Sequence, residues 1–168
     1  MTPGGLYGVK DGSMDFLSPH TLAFVKGVRR AQAEWLQSLG RTADEMHPHL
    51  VSALVNKPAL FFFLDRKLAY FSGVIGESTL SVQFVPKRVT LDPSGSLSEA
   101  FAGVFRKFDT VCCLLDHCRL DKRITVIDYH QQLRELDGSS YWAFRRLRNA
   151  AAKEVRPPVV SDSSKVSP

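Results

Sequence analysis

Apolar positions in this chain first fall into a helical rhythm. Leu22, Val25, Val28, Trp35, Leu36 and Leu39 recur at a spacing that places them on one stripe of a helix. Ser18 followed by Pro19 supplies a capping hydroxyl and a residue whose missing N–H costs nothing in the first turn, and Gly40 supplies the stop. "TADE" at 42–45 has the form of a capping box. Pro48 sits awkwardly for one long helix, so the pattern predicts a break near His47. A helix starting at Pro48 would then bury Leu50, Val51, Leu54 and Val55.

After Pro58 the texture changes. "ALFFFLD" (59–65) and "LAYFSGV" (68–74) read as two aromatic-rich strands joined at Asp65-Arg66-Lys67. "TLSVQFV" (79–85) alternates, with Leu80, Val82 and Phe84 on one side and Ser81 and Gln83 on the other, and "RVTL" (88–91) is a short partner strand. "SLSE" (96–99) opens the strongest helix, over about 97–117, with Leu97, Phe101, Val104, Phe105, Phe108, Val111, Cys112 and Leu115 on one face. "RITVIDY" (123–129) reads as a further, interior strand. A short helix over 131–136 ends at Asp137-Gly138, and a last helix runs from about Tyr141 to Val155. The predicted fold class is α+β: an antiparallel sheet of about four to five strands packed with helices, with the 97–117 helix at its core and a basic helix at the C-terminal end.

At 168 residues the chain suits one domain, expected over 18–156. Residues 1–17, with Gly4, Gly5, Gly8 and Gly12, read as a flexible arm, and "PPVVSDSSKVSP" (157–168) as a disordered tail. The longest apolar runs, "ALFFFL" and "VCCLL", fall far short of the ~20 residues that span a bilayer, so no membrane association is expected. The N-terminal stretch resembles neither a signal peptide nor a transit peptide. Three cysteines, an odd number and clustered, argue against a secreted disulfide framework. The expectation is a soluble, intracellular protein in a reducing compartment.

The cluster "CCLLDHC" (112–118) raises the question of a metal or redox site. Projected on the helix, Cys112 falls in the core face, Cys113 and His117 lie together on the opposite side, and Cys118 lies just beyond the helix end. The three sulfurs do not converge. Zinc needs four ligands, and partners for Cys113 and His117 would have to come from His47, His49 or His130. Adjacent cysteines bridge only with a strained peptide, and a free cysteine more often serves as a small hydrophobe. The reading is a core helix, with no metal and no cofactor.

The charge is concentrated. Of a net +5, residues 141–156 carry +4, from Arg145, Arg146, Arg148, Lys153 and Arg156 against Glu154. Trp142, Arg145, Arg146, Asn149, Lys153 and Arg156 share one arc of the last helix, opposite an apolar stripe of Tyr141, Phe144, Leu147, Ala151 and Val155. Guanidinium forks match phosphate oxygens, and an exposed indole stacks on a base for ~1–3 kcal/mol. Five phosphate contacts to a single strand would give log K against log[salt] a slope of about −3.5. The same face also suits an acidic protein groove, and cations near a helix C-terminus stabilise the macrodipole without any ligand. Lys26, Arg29 and Arg30, with Arg66-Lys67 and Lys87-Arg88, are further cations for a basic rim.

Glycine-rich phosphate loops, H-E-x-x-H, G-x-S-x-G and CxxC pairs are missing from the sequence. Asp128, Tyr129 and His130 at the end of the expected interior strand, with Ser139 and Ser140 beyond, are the remaining catalytic candidates, and polar strand ends and an N-cap explain them as well. The expected function is therefore non-enzymatic: an RNA-binding structural or assembly component of a ribonucleoprotein or viral particle. It would bind RNA or another polyanion through the basic helix. The alternative is a protein–protein interaction module, homodimeric or with an acidic partner, without nucleic-acid contact.

Overall fold

The computed structural model describes residues 13–90 and 96–155. Across these the chain forms strand β1 (Ser13–Phe16), helix α1 (Pro19–Leu39), helix α2 (Ala43–Asn56), a 3-10 turn (Pro58–Phe61) and helix α3 (Phe62–Ile75). Strand β2 (Lys87–Thr90), helix α4 (Ser96–Leu120) and helix α5 (Val126–Val155) follow. The fold is predominantly helical, with a single two-stranded antiparallel sheet among the described residues. The α+β architecture with four to five strands is thereby corrected.

Local chemistry sets the first helices. The Ser18 hydroxyl accepts the His20 N–H at 3.3 Å, and Gly40 closes α1 in the left-handed region at φ +66°, donating to the Gln37 carbonyl. Thr42 and Glu45 form a reciprocal capping box at α2. No break occurs at His47: Pro48 lies inside α2. It forfeits one helical hydrogen bond near the capped end, and the burial of Met46, Leu50 and Ala53 on both sides of it carries the helix through.

Four expected strands, 59–65, 68–74, 79–85 and 123–129, are not strands. In 59–74, Phe61, Leu64 and Phe71 are buried with Leu68 and Val74 packed beside them, a helical spacing that the three consecutive phenylalanines obscured. Residues 65–67 also lack the glycine or asparagine of a tight hairpin. "TLSVQFV" has no regular secondary structure from Thr79 to Val85 and pairs with no strand among the described residues. In "RITVIDY" the Thr125 hydroxyl accepts the Asp128 N–H at 3.0 Å, so Thr125 caps α5 instead of extending a strand. From there α5 runs as one 30-residue helix through Gly138, where a stop was expected. The expected partner strand near 88–91 does form, as β2, but it pairs with β1 in the register Met14↔Val89 and Asp15↔Arg88. Ser13–Phe16 thus belong to the sheet, with Met14 and Phe16 buried, while residues 1–12 of the expected arm and the 157–168 tail lie outside the described residues.

The long core helix is present as α4, and it packs against each of the other four helices and β1. Phe101, Val104, Phe105, Phe108, Val111, Cys112 and Leu115 are buried along it. Phe144 of α5 meets four rings, with centroids 5.0 Å away for Phe101, 5.1 Å for Phe61, 5.8 Å for Phe105 and 6.2 Å for Phe24. Each such pair contributes ~0.5–1.5 kcal/mol beyond area burial. This aromatic knot fixes the rotation of α5, and with it the direction in which the basic face points.

Candidate nucleic-acid interface

Leu133, Leu136, Ser140, Ala143, Phe144, Leu147 and Ala151 form the buried side of α5. Trp142, Arg145, Arg146, Asn149 and Lys153 are all exposed, the indole at 56 %. Arg156 lies outside the described residues. The exposed face is not flat. It forms one wall of a groove whose other wall is the corner between α2 and α3.

Pro58 makes that corner. Lys57 ends α2 in a non-helical conformation, and Pro58 starts the 3-10 turn, so Asn56 to Leu60 fold over against α5. A cavity of about 830 Å³ lies between them, lined by Pro58, Leu60, Phe63 and Trp142 and by the cations Lys57, Arg66 and Arg146. A second cavity of about 410 Å³ continues along α5, lined by Asn149, Lys153 and Glu154 and sharing Asn56, Lys57 and Arg146 with the first. The Arg146 guanidinium lies over the Trp142 ring, 4.8 Å from its centroid.

The electrostatics follow from which charges are already matched. On α3, Asp65 pairs with Lys107 at 2.9 Å, and Lys67 pairs with Glu135 at 2.9 Å. Arg66 between them faces the groove without a carboxylate partner among the described residues. Glu154 is the one carboxylate lining either cavity, and it meets His49 Nδ1 at 3.1 Å. Lys57, Arg66, Arg146 and Lys153 make no ion pair among the described residues, so their field adds up in the groove.

The structure therefore brings Trp142, Arg146, Asn149 and Lys153 together and separates Arg145 from them. Arg145 lines neither cavity, and neither does Arg148. Burial first, then the charge of Arg145, pulls the Arg148 guanidinium below its ordinary range, and its Nη1 atom is buried without a hydrogen-bond partner among the described residues. Lys57 and Phe63 were missed. The Asn-Lys-Pro break after an apolar helix marks a cation at a corner, but nothing in the sequence says which helix the corner faces. Arg66 was expected at a hairpin turn and stands instead on a helix. Of the other rim candidates, Lys26, Arg29, Arg30 and Lys87 are exposed, whereas Arg88 is paired with Asp15 at 3.0 Å.

Of the other candidates, Cys112 and Cys118 are taken up by the core, whereas Asp128 and His130 are exposed. Cys118 lies within α4, not beyond it, and is buried, as is Cys112. Desolvation by burial raises all three thiols above their ordinary range, which suppresses thiolate chemistry. His117 Nε2 meets the Ser78 hydroxyl at 3.2 Å. Among the described residues no group of three His, Cys, Asp or Glu side chains is placed to hold a metal ion. Asp128, Tyr129 and His130 sit in the first turn of α5, not at a strand end. The Tyr129 hydroxyl donates to Asp116, and Arg119 lies over the Tyr129 ring. Ser139 lines the larger cavity, and Ser140 is buried. Among the described residues no helix is long and apolar enough to cross a membrane. Comparison with protein-family models, curated proteins and solved structures finds no match for this chain.

Proposed function

We propose that this chain is a non-enzymatic RNA-binding protein, a structural or assembly component of a ribonucleoprotein particle, that holds the nucleic acid in the groove between α5 and the α2–α3 corner. One observation carries the reading. The larger cavity combines an exposed indole and a phenyl ring with three cations and no carboxylate. Phosphate recognition needs cations free of acidic partners, and sequence-tolerant binding needs π-faces. Fluorescence anisotropy of a labelled single-stranded RNA over a salt series tests it. Arg146→Ala with Lys153→Ala should weaken binding and roughly halve its salt dependence, to a slope of about −1.4, and no binding at low salt would end the proposal.

A second reading, a protein-interaction module, is favoured by a different surface. Leu120, Val126 and Ile127 at the α4–α5 turn are 51 %, 57 % and 77 % exposed, beside Arg119, Lys122 and Arg123. An acidic, partly apolar protein surface would match it, as would a second copy of the chain. Ile127→Asp, compared with wild type by sedimentation, tests self-association through this tip.

A further inference from the structure

We infer that the groove selects single strands over duplexes, holding an unpaired base in the larger cavity while the adjoining phosphates lie across Lys57 and Arg146 toward Lys153. This rests on the nucleic-acid reading above and specifies which nucleic acid and which cations.

The two cavities differ in character. The larger is walled by Pro58, Ala59, Leu60, Phe63 and Trp142, with the cations Lys57, Arg66 and Arg146 also lining it. The smaller is lined mainly by polar and charged side chains. Asn56, Lys57 and Arg146 belong to both, so whatever spans the groove meets a cationic ridge between an aromatic compartment and a polar one. A ligand that uses both needs an apolar, planar group attached to an anionic backbone. An unstacked nucleotide has that form. A duplex keeps its base faces buried in the stack and offers nothing to Trp142, and a bare polyphosphate leaves the aromatic compartment empty. Arg146 over the indole leaves the N–H edge of its guanidinium free for a phosphate.

The geometry also sets the size of the site. Trp142 to Lys153 spans about 16 Å of helix, so the footprint lies at the short end of the roughly 4–16 nucleotides of single-strand binders. Four cations line the path: Lys57, Arg66, Arg146 and Lys153. If each meets a phosphate, log K against log[salt] has a slope of about −2.8. Arg145, on the same helix, contributes nothing.

The test uses the full chain with Trp35→Phe, which leaves Trp142 as the lone indole of the two in the sequence. Wild-type anisotropy runs in parallel, in case that substitution perturbs folding. The probes are a six-nucleotide single-stranded RNA, a blunt RNA duplex of the same length and inorganic polyphosphate. The single strand should quench Trp142 emission and bind about tenfold tighter than the duplex. Trp142→Ala should erase that preference while polyphosphate binding persists. Lys57→Ala should lower the salt slope by about 0.7, and Arg145→Ala should leave it unchanged. Equal binding of strand, duplex and polyphosphate without quenching would overturn this inference and leave a polyanion groove. Binding of no probe at low salt would remove the nucleic-acid reading as well.

Discussion

The Thr21 hydroxyl donates to the Asp109 carboxylate at 2.7 Å, joining α1 to α4 across 88 residues of sequence. Asp109 is fully buried, and its two oxygens also accept the Leu17 and Ser18 N–H groups at 2.9 and 3.0 Å. A carboxylate on the core helix thus satisfies amides at the entrance of α1. Asp109→Ala would strand three donors in the core and should cost about 3 kcal/mol, read from urea unfolding. Asp109→Asn, which keeps an acceptor, should cost less. A loss below about 0.5 kcal/mol for the alanine variant would mean that water replaces the carboxylate.

Two substitutions should stabilise the fold. Lys122 closes α4 at φ 56°, its N–H on the Arg119 carbonyl and the Arg123 N–H on that of Cys118. Glycine is the residue such a cap favours, so Lys122→Gly should add about 1 kcal/mol. Gly138 stands inside α5 with nothing within 4 Å of where a Cβ would go. Gly138→Ala should therefore gain about 0.5–1 kcal/mol, the usual difference in a helix interior. Thermal melts of each variant check both.

Asp116 should give the fold a measurable pH dependence. Desolvation by burial raises its carboxyl, against the opposing effects of the Tyr129 hydroxyl, Arg119 and His20. A pKa above that of the unfolded chain means that the charged form is disfavoured on folding. Its contribution to stability is complete below the ordinary carboxylate range and is lost as pH rises through the raised value. Asp116→Asn still accepts the Tyr129 hydroxyl without carrying a charge. At neutral pH it should melt above wild type, and in strong acid the two should melt together.

Glu154 is the negative charge in an otherwise cationic groove. Glu154→Gln keeps an oxygen for His49 and removes the charge. RNA affinity should rise about twofold, the scale of an exposed charge interaction. Weaker binding in the anisotropy titration would show that Glu154 positions the groove instead of opposing its ligand.

How much of this was legible varies by element. The capping residues Ser18, Thr42 and Gly40 act through bonds to residues near them in sequence, and α1 and the start of α2 follow from them directly. The apolar face of α4 was also plain, because seven of its positions repeat at helical spacing and all are buried. The segment 59–75 failed because phenylalanine favours strands only mildly, and its pairing partners would have had to come from elsewhere in the fold. The 123–129 segment failed because one Thr125 hydroxyl bond outweighed a β-branched run.

The sequence by itself determined the amphipathic character of α5, the concentration of positive charge on it and the inert placement of Cys112, since these depend on periodicity and composition. Tertiary structure decided which cations act together. Lys57 and Arg66 reach the groove because Pro58 turns the chain over α5, while Asp65, Lys67 and Arg88 are neutralised by Lys107, Glu135 and Asp15. Charge matching between elements depends on distances across the fold, and a one-dimensional pattern carries no such distances.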